Sequence, residues 1–273
     1  MLQQGVSHND LVRGRLAGMS KWPNLIIEPG ERGVAIRMSR GVTNALTTEL
    51  LEALIEALGA AERDAHGVVL LGGEKFFSNG VDLEWALSQS GAQMRELFLA
   101  LGACVLKLLD SPVPIVGAAQ GHAIGGALAM LLSCDYRYAS SGRVLLGKPE
   151  VLLGVPNPYF GDQVVRFVAG DYVASDLIYT GKLVSSEEAL TLGLLHGVEP
   201  AERLEETAWE RLHTLTELAP AAFSESKRMR TERLCARLRE QMSARVARQV
   251  EIWYSPEAQT RLHAAAQRLK RRP

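Results

Sequence analysis

Residues 113–139 read VPIVGAAQGHAIGGALAMLLSCDYRYA, and their pattern sets the fold class. Apolar Val113 to Ala119 is typical of a buried strand, Gly125 to Ser133 of a helix, and Tyr136 to Ala139 of a second strand. Strand, glycine-rich turn, helix and strand in this order indicate an α/β protein with buried strands. The uncharged run at residues 111–134 is long enough to cross a bilayer, but prolines and glycines interrupt it, so we expect no membrane span.

The same alternation precedes this stretch, and mostly helical sequence follows it. Strands are predicted at Leu25 to Glu28, Val34 to Met38, Val68 to Leu71 and Val144 to Leu146, and helices at Thr48 to Glu62, Trp85 to Gln89 and Met94 to Leu109. Later helices are predicted at Gly161 to Val168, Ala174 to Tyr179, Ser186 to Leu192, Leu204 to Leu218 and Ala221 to Leu269, the last with a break at Pro256. We expect a disordered N-terminal extension at residues 1–18, a core at 19–215 and a helical region at 216–273.

The composition describes a globular protein with balanced charge. The 273 residues include 30 Lys and Arg against 31 Asp and Glu, and 47% are apolar, which excludes disordered and fibrous classes. The net charge of -1 gives no general attraction to nucleic acid or to anionic membranes. Three scattered cysteines, Cys104, Cys134 and Cys235, are too few for a disulfide framework or a zinc site, so we expect no metal. Because we recognise no secretory signal, we expect a cytoplasmic protein.

Two glycine-rich turns follow predicted buried strands. They read FFSNGVDL at residues 76–83 and GHAIGGA at residues 121–127. Glycine lets the backbone approach a ligand closely, and a helix that starts after each turn adds the positive end of its dipole. Two amides, one from each turn, could therefore hold a developing oxyanion. The composition of each turn also has a purely structural explanation. Gly125 and Gly126 would allow tight helix packing, and Asp82 is a typical N-cap residue.

The turns are followed by GKPEVLLG at residues 147–154, and further short motifs keep their order along the chain. These are TNAL at residues 43–46, Cys134-Asp135, TGK at 180–182, EAL at 188–190 and Gly193-Leu194. From about residue 22 onward, this succession resembles the crotonase, or enoyl-CoA hydratase and isomerase, superfamily. The resemblance implies a spiral of stacked ββα units whose helical C-terminal region assembles a homotrimer or a hexamer of two trimers. It also implies an acyl-CoA thioester as substrate, with coenzyme A as part of that substrate and no other cofactor.

The resemblance assigns the site residues by position. The amides of Val81 and Gly126 would form an oxyanion hole around the thioester carbonyl, and Glu150 would be the general base. Each preorganised donor of this kind can stabilise an enolate by roughly 3 to 4 kcal/mol. The residues expected to contact the acyl group or the coenzyme A are Asn44, Ala45, Asn79, Gly80, Gly125 and Tyr159. For Tyr159, narrowing of the acyl pocket and covering of the core are both open.

The number of carboxylates separates two reactions. Hydratases of the superfamily use two glutamates, but this chain has Ala129 where the resemblance places one of them. A single base at Glu150 suits proton transfer from the α to the γ carbon, so we favour Δ3,Δ2-enoyl-CoA isomerisation. Two alternatives stay open: Asp162 as a second acid would restore hydration or another lyase or hydrolase reaction, and Glu150 could be a structural carboxylate at a turn. His122 is expected to support its turn rather than to transfer protons.

The C-terminal region carries excess positive charge. Residues 219–273 contain 13 Lys and Arg against 5 Asp and Glu, and eight of the basic residues lie between Lys227 and Arg248. One interpretation is a surface for RNA or a protein partner. The other, which we favour, is a solvated helix face or one that docks on a neighbouring subunit. No aromatic residue lies between Lys227 and Arg248, which counts against binding of single-stranded RNA.

Overall fold

The computed structural model describes residues 22–270, which form two β-sheets and a set of helices. The expected extension at residues 1–18 lies outside this range. The strands are, in chain order, β1 (Leu25–Pro29), β2 (Val34–Met38), β3 (Val68–Leu71), β4 (Phe76–Ser78), β5 (Ile115–Ala119), β6 (His122–Ile124), β7 (Tyr136–Ser140), β8 (Leu145–Gly147), β9 (Leu183–Ser185) and β10 (Gly197–Glu199).

The larger sheet has the strand order β1-β2-β3-β5-β7-β10. β1 and β2 form an antiparallel hairpin, and the following neighbours are parallel. Strands β3 and β5 are buried along their whole length, which explains why their sequences are continuously apolar rather than alternating. The sequence predicted the strands of this sheet apart from β10, whose three residues are only partly buried.

The smaller sheet has the order β4-β6-β8-β9, with β4, β6 and β8 parallel and β9 antiparallel to β8. The prediction of two glycine-rich turns was incomplete here, because Phe76–Ser78 and His122–Ile124 are short strands within those stretches. A strand of three residues is too short to show a period of two, so the pattern gave no sign of it. This sheet aligns the two glycine segments side by side.

Long and short strands alternate along the chain, and each pair is followed by helix. The pairs are β3 with β4, β5 with β6 and β7 with β8. The helices are α1 (Thr48–Asp64), α2 (Leu83–Leu87), α3 (Gly91–Leu109), α4 (Gly126–Leu132), α5 (Tyr159–Thr180), α6 (Ser186–Thr191), α7 (Ala201–Thr216), α8 (Pro220–Trp253) and α9 (Pro256–Lys270), with a 3-10 helix at Pro149–Leu153. Because β4, β6 and β8 are parallel neighbours, the segments that leave them meet at one edge of the smaller sheet.

Local sequence explains where the main helices start. Thr47 caps α1 by accepting a hydrogen bond from the Leu50 amide, and Ser90 with Gln93 forms a capping box at the start of α3. The amphipathic helix α3 then packs against both α1 and α8. This contact joins the C-terminal helices to the sheet core.

The helices after Gly154 differ from the prediction in one detail. The two predicted helices at residues 161–168 and 174–179 belong to α5, which is interrupted where Gly170 adopts a φ of 80°. The predicted break near Pro256 is present, since α8 ends at Trp253 and α9 begins at Pro256. The expected boundary at residues 215 and 216 falls in the last turn of α7.

The larger sheet is buried on both faces. On one face α7 packs Leu204, Ala208 and Leu212 against Val69 and Val116, and the main core fills the other. Cysteines Cys104, Cys134 and Cys235 are free and buried. Burial raises the pKa of the Cys104 thiol and raises that of Cys134 to about 12, so both thiols stay protonated near neutral pH.

Two kinds of feature are missing from residues 22–270. No group of three or more His, Cys, Asp or Glu side chains within that range has the arrangement of a metal site. None of the helices there combines the length and the hydropathy that a membrane span requires. The uncharged run at residues 111–134 instead forms β5, β6 and α4.

Candidate active site

The segments that leave β4, β6 and β8 meet at a cavity of about 550 Å3. The β4 and β6 segments line one side of the cavity with Asn79, Gly80, Val81, Gly125 and Gly126. Glu150, on the 3-10 helix after β8, lies in the same wall. The structure therefore brings together the three sequence segments to which the resemblance assigned a chemical role.

The β4 and β6 segments approach each other so closely that glycine is required. Gly80 has a φ of 78°, and a Cβ there would lie 2.8 Å from the carbonyl oxygen of Ile124 and 3.8 Å from the amide nitrogen of Gly126. Gly126 begins α4, and amides in the first turn of a helix have no acceptor within that helix. The Val81 and Gly126 segments thus lie close enough to share one ligand atom.

Glu150 places its carboxylate beside the Gly125 backbone. Atom Oε1 lies 3.5 Å from the position that a Cβ on Gly125 would occupy. Atom Oε2 is buried and has no hydrogen-bond partner among the residues that the structure describes. Buried polar atoms are nearly always paired in proteins, so this oxygen can accept a hydrogen bond or a proton from a molecule in the cavity.

Lys148 was not predicted, although it is the buried partner of Glu150. Its ammonium Nζ lies 2.8 Å from Glu150 Oε1 and donates a second bond, also 2.8 Å, to the Gly125 carbonyl. Its side chain is 0% exposed, whereas lysines are almost never fully buried unless they are paired. The Lys-Pro-Glu spacing gave no local signal of this burial, because the contact depends on how the β6 and β8 segments pack.

The rest of the cavity wall is mostly apolar and includes the C-terminal helices. Apolar side chains come from α3, the 3-10 helix and its following loop, and α8: Phe98, Leu101, Leu153, Val155 and Trp253. Phe98 and Trp253 meet edge to face with ring centroids 5.9 Å apart. Gln249 and Arg268 line the same cavity, and Arg268 is exposed at its border. No local pattern could have predicted these contributions, since α8 and α9 reach the cavity only through the tertiary fold.

Asp82 is another carboxylate on the cavity wall, but both of its carboxylate oxygens already have partners within the protein. Oδ1 accepts a 3.1 Å hydrogen bond from the Trp85 amide as the N-cap of α2, which confirms the predicted cap. Oδ2 lies 3.6 Å from the Arg40 guanidinium. Asp82 therefore anchors the segment that carries Val81.

Comparison with known proteins agrees with this geometry. A family model described as "Enoyl-CoA hydratase/isomerase" matches residues 30–271. The chain belongs to the enoyl-CoA hydratase/isomerase family. It is 33% identical over 211 residues to the "Short-chain-enoyl-CoA hydratase" of Clostridium acetobutylicum, an alignment that covers 75% of this chain and 79% of that protein.

Solved structures of this family have the same fold. The human mitochondrial delta3-delta2-enoyl-CoA isomerase superposes with a TM-score of 0.87 at 26% identity, covering 90% of this chain and 98% of the other. The enoyl-CoA hydratase from Bacillus halodurans superposes with a TM-score of 0.80 at 28% identity, covering 88% and 99%. These matches confirm the predicted superfamily and the predicted α/β fold with its crotonase-type spiral core.

In this family member, the residues expected near the coenzyme A divide into two groups. Ala45 and Asn79 line the cavity. The Asn44 side chain is buried in the protein instead, donating 3.0 Å to the Met38 carbonyl and accepting 2.7 Å from the Arg40 amide. The Asn44 side chain therefore holds the loop before α1, while Thr43 and Ala45 on either side of it line the cavity. The expected contact of the backbone near Asn44 with coenzyme A stays a prediction.

Tyr159 and Asp162 lie on α5 and are not among the described residues that line the cavity. The Tyr159 ring is covered by the Arg245 guanidinium at 5.1 Å. Asp162 pairs with Arg166 at 3.0 Å and accepts a bond from Gln163. The structure thus does not bring Asp162 together with Glu150, and it places Tyr159 at the α5–α8 contact.

Two further positions bear on proton transfer. Ala129 is fully buried on α4, so no carboxylate stands at that position. His122 accepts a 2.9 Å hydrogen bond from the Leu145 amide through Nδ1 and meets the Phe76 ring at 5.1 Å. Burial and the nearby Lys75 charge lower the pKa of His122. These contacts agree with the expected role of His122 in supporting its strand.

The basic side chains of α8 are largely engaged within the protein. Lys227 pairs with Asp135 at 2.8 Å, and Arg228 pairs with Glu225 and Glu232. The remaining pairs include Arg239 with Asp110 and Arg248 with Glu251. Intramolecular pairing of this kind supports the interpretation of a solvated or docking helix face over an RNA surface.

Proposed function

We propose that this protein is a Δ3,Δ2-enoyl-CoA isomerase with Glu150 as its single base. The observation that carries the proposal is the Glu150 carboxylate, which lies beside the Gly125–Gly126 peptide. One of its oxygens is paired with Lys148, and the other has no partner within residues 22–270. The buried Ala129 supports it, since the second glutamate of a hydratase has no counterpart there. One carboxylate that can accept and return a proton is what a double-bond shift requires.

The proposed reaction begins with a 3-enoyl thioester in the cavity. The thioester oxygen accepts hydrogen bonds from the Val81 and Gly126 amides, and Glu150 Oε2 takes a proton from the α carbon. The electron pair of the broken C–H bond moves into the carbonyl and gives an enolate, which the two amides stabilise more strongly than the neutral carbonyl. Glu150 then returns the proton to the γ carbon while the double bond forms between the α and β carbons. The product has the mass of the substrate.

The cavity supports an acyl-CoA substrate of this kind. Its apolar wall of Phe98, Leu101, Leu153, Val155 and Trp253 suits a hydrocarbon tail. The exposed Arg268 at the border offers a positive charge to the phosphates of coenzyme A. The nucleotide would therefore lie outside the cavity and the acyl chain inside it.

Hydration of a 2-enoyl-CoA is the second candidate function, and the similarity to the Clostridium acetobutylicum hydratase favours it. A hydratase needs to orient a water molecule and to manage two proton positions. On this chain Asp162 would have to leave its pair with Arg166 to assist. We therefore place hydration second.

We also propose assembly as a homotrimer or as two trimers, in the cytoplasm. Exposed aromatic side chains on α5, among them Tyr172 at 88% and Tyr179 at 72% exposure, are consistent with a surface that another subunit covers. Light scattering of the purified chain measures the assembly directly, and a mass of one subunit would contradict it.

The decisive experiment uses two substrates. A 3-enoyl-CoA and, separately, a 2-enoyl-CoA are incubated with the protein and followed by chromatography and mass spectrometry. We expect the first to become its 2-enoyl isomer without a change of mass. Addition of water to the second, with no isomerisation of the first, would overturn the isomerase proposal in favour of the hydratase.

A further inference from the structure

Lys148 contacts both halves of the proposed active site. Its ammonium lies 2.8 Å from Glu150 Oε1 and 2.8 Å from the carbonyl oxygen of Gly125. That carbonyl belongs to the same peptide unit as the Gly126 amide, because one peptide joins the C=O of residue 125 to the N–H of residue 126. A single buried side chain therefore holds the base and the peptide of the oxyanion hole.

The geometry of the peptide unit makes this contact directional. In a planar trans peptide the C=O and N–H bonds point in opposite directions, so fixing the oxygen also fixes the direction of the N–H. Gly125 has a φ of 62°, and its carbonyl also accepts a longer, 3.4 Å hydrogen bond from the Ala129 amide. The shorter bond from Lys148 reinforces that orientation of the peptide. A cation on the carbonyl oxygen also polarises the peptide and strengthens its N–H as a donor.

The same contact selects one oxygen of Glu150. Lys148 pairs with Oε1, and Oε2 keeps no partner among the described residues. With Oε1 held, the carboxylate cannot rotate freely, and Oε2 is the atom available to accept a proton. The Lys148 side chain is 0% exposed, so water does not compete for its ammonium.

We propose that Lys148 is a positioning residue that ties the general base to the oxyanion hole by holding Glu150 through Oε1 and the Gly125–Gly126 peptide through its carbonyl. This inference rests on the proposed enolate chemistry, but it does not depend on which acyl-CoA is the substrate. It assigns Lys148 no contact with substrate and no proton transfer.

The test compares Lys148→Met with a matched control, Lys227→Met. Lys227 is also buried and paired at 2.8 Å, with Asp135, but it is not among the described residues that line the candidate active-site cavity. Two probes that need no turnover are used: butyryl-CoA, which measures binding alone, and acetoacetyl-CoA, whose enolate has its own ultraviolet absorbance. The kcat and KM for a 3-enoyl-CoA are measured on the same preparations.

We expect Lys148→Met to bind butyryl-CoA nearly as wild type does, to lose the enolate absorbance of acetoacetyl-CoA, and to lower kcat by roughly 100-fold with little change in KM. Lys227→Met should keep the enolate band and kcat even where its thermal stability falls. An unchanged enolate band and kcat in Lys148→Met would overturn the inference, as would equal losses in both variants.

If Lys148→Met does not fold, a structure of the wild-type protein tests the same inference. A crystal structure of the wild-type protein with butyryl-CoA should show Lys148 on Glu150 Oε1 and Oε2 facing the α carbon. A carboxylate turned away from Lys148 would overturn the inference. If wild type isomerises no 3-enoyl-CoA but forms the enolate band in a Lys148-dependent way, the isomerase proposal fails and the role of Lys148 stands.

Discussion

Two lysines of this chain are buried against a carboxylate with nearly the same geometry. Lys148 lies 2.8 Å from Glu150, and Lys227 lies 2.8 Å from Asp135. Both pairs are sheltered from water, with side-chain exposures of 0% and 13% in the first and 5% and 17% in the second. Coulomb attraction and desolvation are therefore similar for the two pairs, and the difference lies in what else the carboxylates contact.

Oδ2 of Asp135 binds two partners within the fold, whereas Oε2 of Glu150 is buried and has no partner among residues 22–270. Asp135 also accepts a 2.8 Å hydrogen bond from the Ile115 amide and so ties α8 to the start of β5. Glu150 keeps Oε2 without a partner in the described part of the chain, beside a cavity that could hold a ligand. Glu62 also pairs with a lysine and keeps a buried unpaired oxygen, but it does not line that cavity, so the position of Glu150 beside the cavity is what distinguishes it.

Glu150→Gln gives the largest expected effect. It removes the proposed base but keeps the shape of the side chain, so isomerisation of a 3-enoyl-CoA should fall by roughly 10⁴-fold. Binding of a saturated acyl-CoA should persist, because the apolar wall and the two amides are untouched. Steady-state kinetics and calorimetry measure the two quantities.

The matched variant on the other pair is Asp135→Asn. It makes the same chemical change to a carboxylate paired with a buried lysine, and it should lower stability while leaving kcat in place. If Glu150→Gln kept the wild-type kcat, Glu150 would not be the general base, and the two carboxylates would not differ in function.

Lys227→Met should lower the free energy of unfolding. It leaves Asp135 buried without its cation, and breaking one partner of a buried pair costs about 3 to 5 kcal/mol. Urea denaturation at a fixed protein concentration measures the loss. The double variant Lys227→Met with Asp135→Asn should lose less than the sum of the single losses, because the uncompensated charge is gone. Strict additivity would mean that the pair contributes no coupling.

Gly80→Ala tests the backbone half of the site. The added Cβ would lie 2.8 Å from the Ile124 carbonyl, and the positive φ of 78° disfavours alanine, so the segment must shift away from Gly126. Loss of one oxyanion donor lowers kcat by roughly 10²-fold. Gly142→Ala is the control, since Gly142 has a φ of 97° but a Cβ there would have no atom of the described residues within 4 Å. If both variants kept full activity, the contact between the two glycine segments would have no catalytic role.

The sequence predicted what depends on local pattern. Continuous apolar runs indicated β3 and β5, and the helical spacing of leucines indicated α1. Asp82 was recognised as an N-cap because capping needs only a residue type and its position. The resemblance to the family rests on short motifs that occur in a fixed order along the chain. That order was enough to predict that Glu150 lies near the glycine turns.

What depends on tertiary contact was not predictable. The three-residue strands β4 and β6 exist because they pair with each other, and their own sequence shows no strand period. Lys148 looks like a surface residue until the fold buries it against Gly125. Trp253 and Arg268 enter the cavity wall from helices far along the chain, and for Tyr159 the sequence left narrowing of the pocket and covering of the core both open.

His196 gives the smallest expected effect and probes the surroundings of the Asp135 pair. It lines a second cavity, of about 420 Å3, together with Asp135 and Lys227, and its Nδ1 accepts a hydrogen bond from the Arg137 amide. The residue is partly open to solvent, but desolvation of its imidazole at the cavity edge, together with the charges of Arg137 and Arg211, lowers the pKa of His196 from 6.5 to about 4. Between these two pH values the unfolded chain binds more protons at this residue than the folded chain does.

The contribution of His196 to the free energy of unfolding should therefore be fully present above pH 6.5. It should fall as the pH drops toward 4, as linkage requires for a lowered pKa. His196→Gln keeps an acceptor for the Arg137 amide but cannot titrate, so its melting temperature should fall less steeply across the same window. Thermal melts at several pH values compare the two slopes. Equal slopes would mean that the pKa of this imidazole is the same in the folded and unfolded states, which would contradict the prediction.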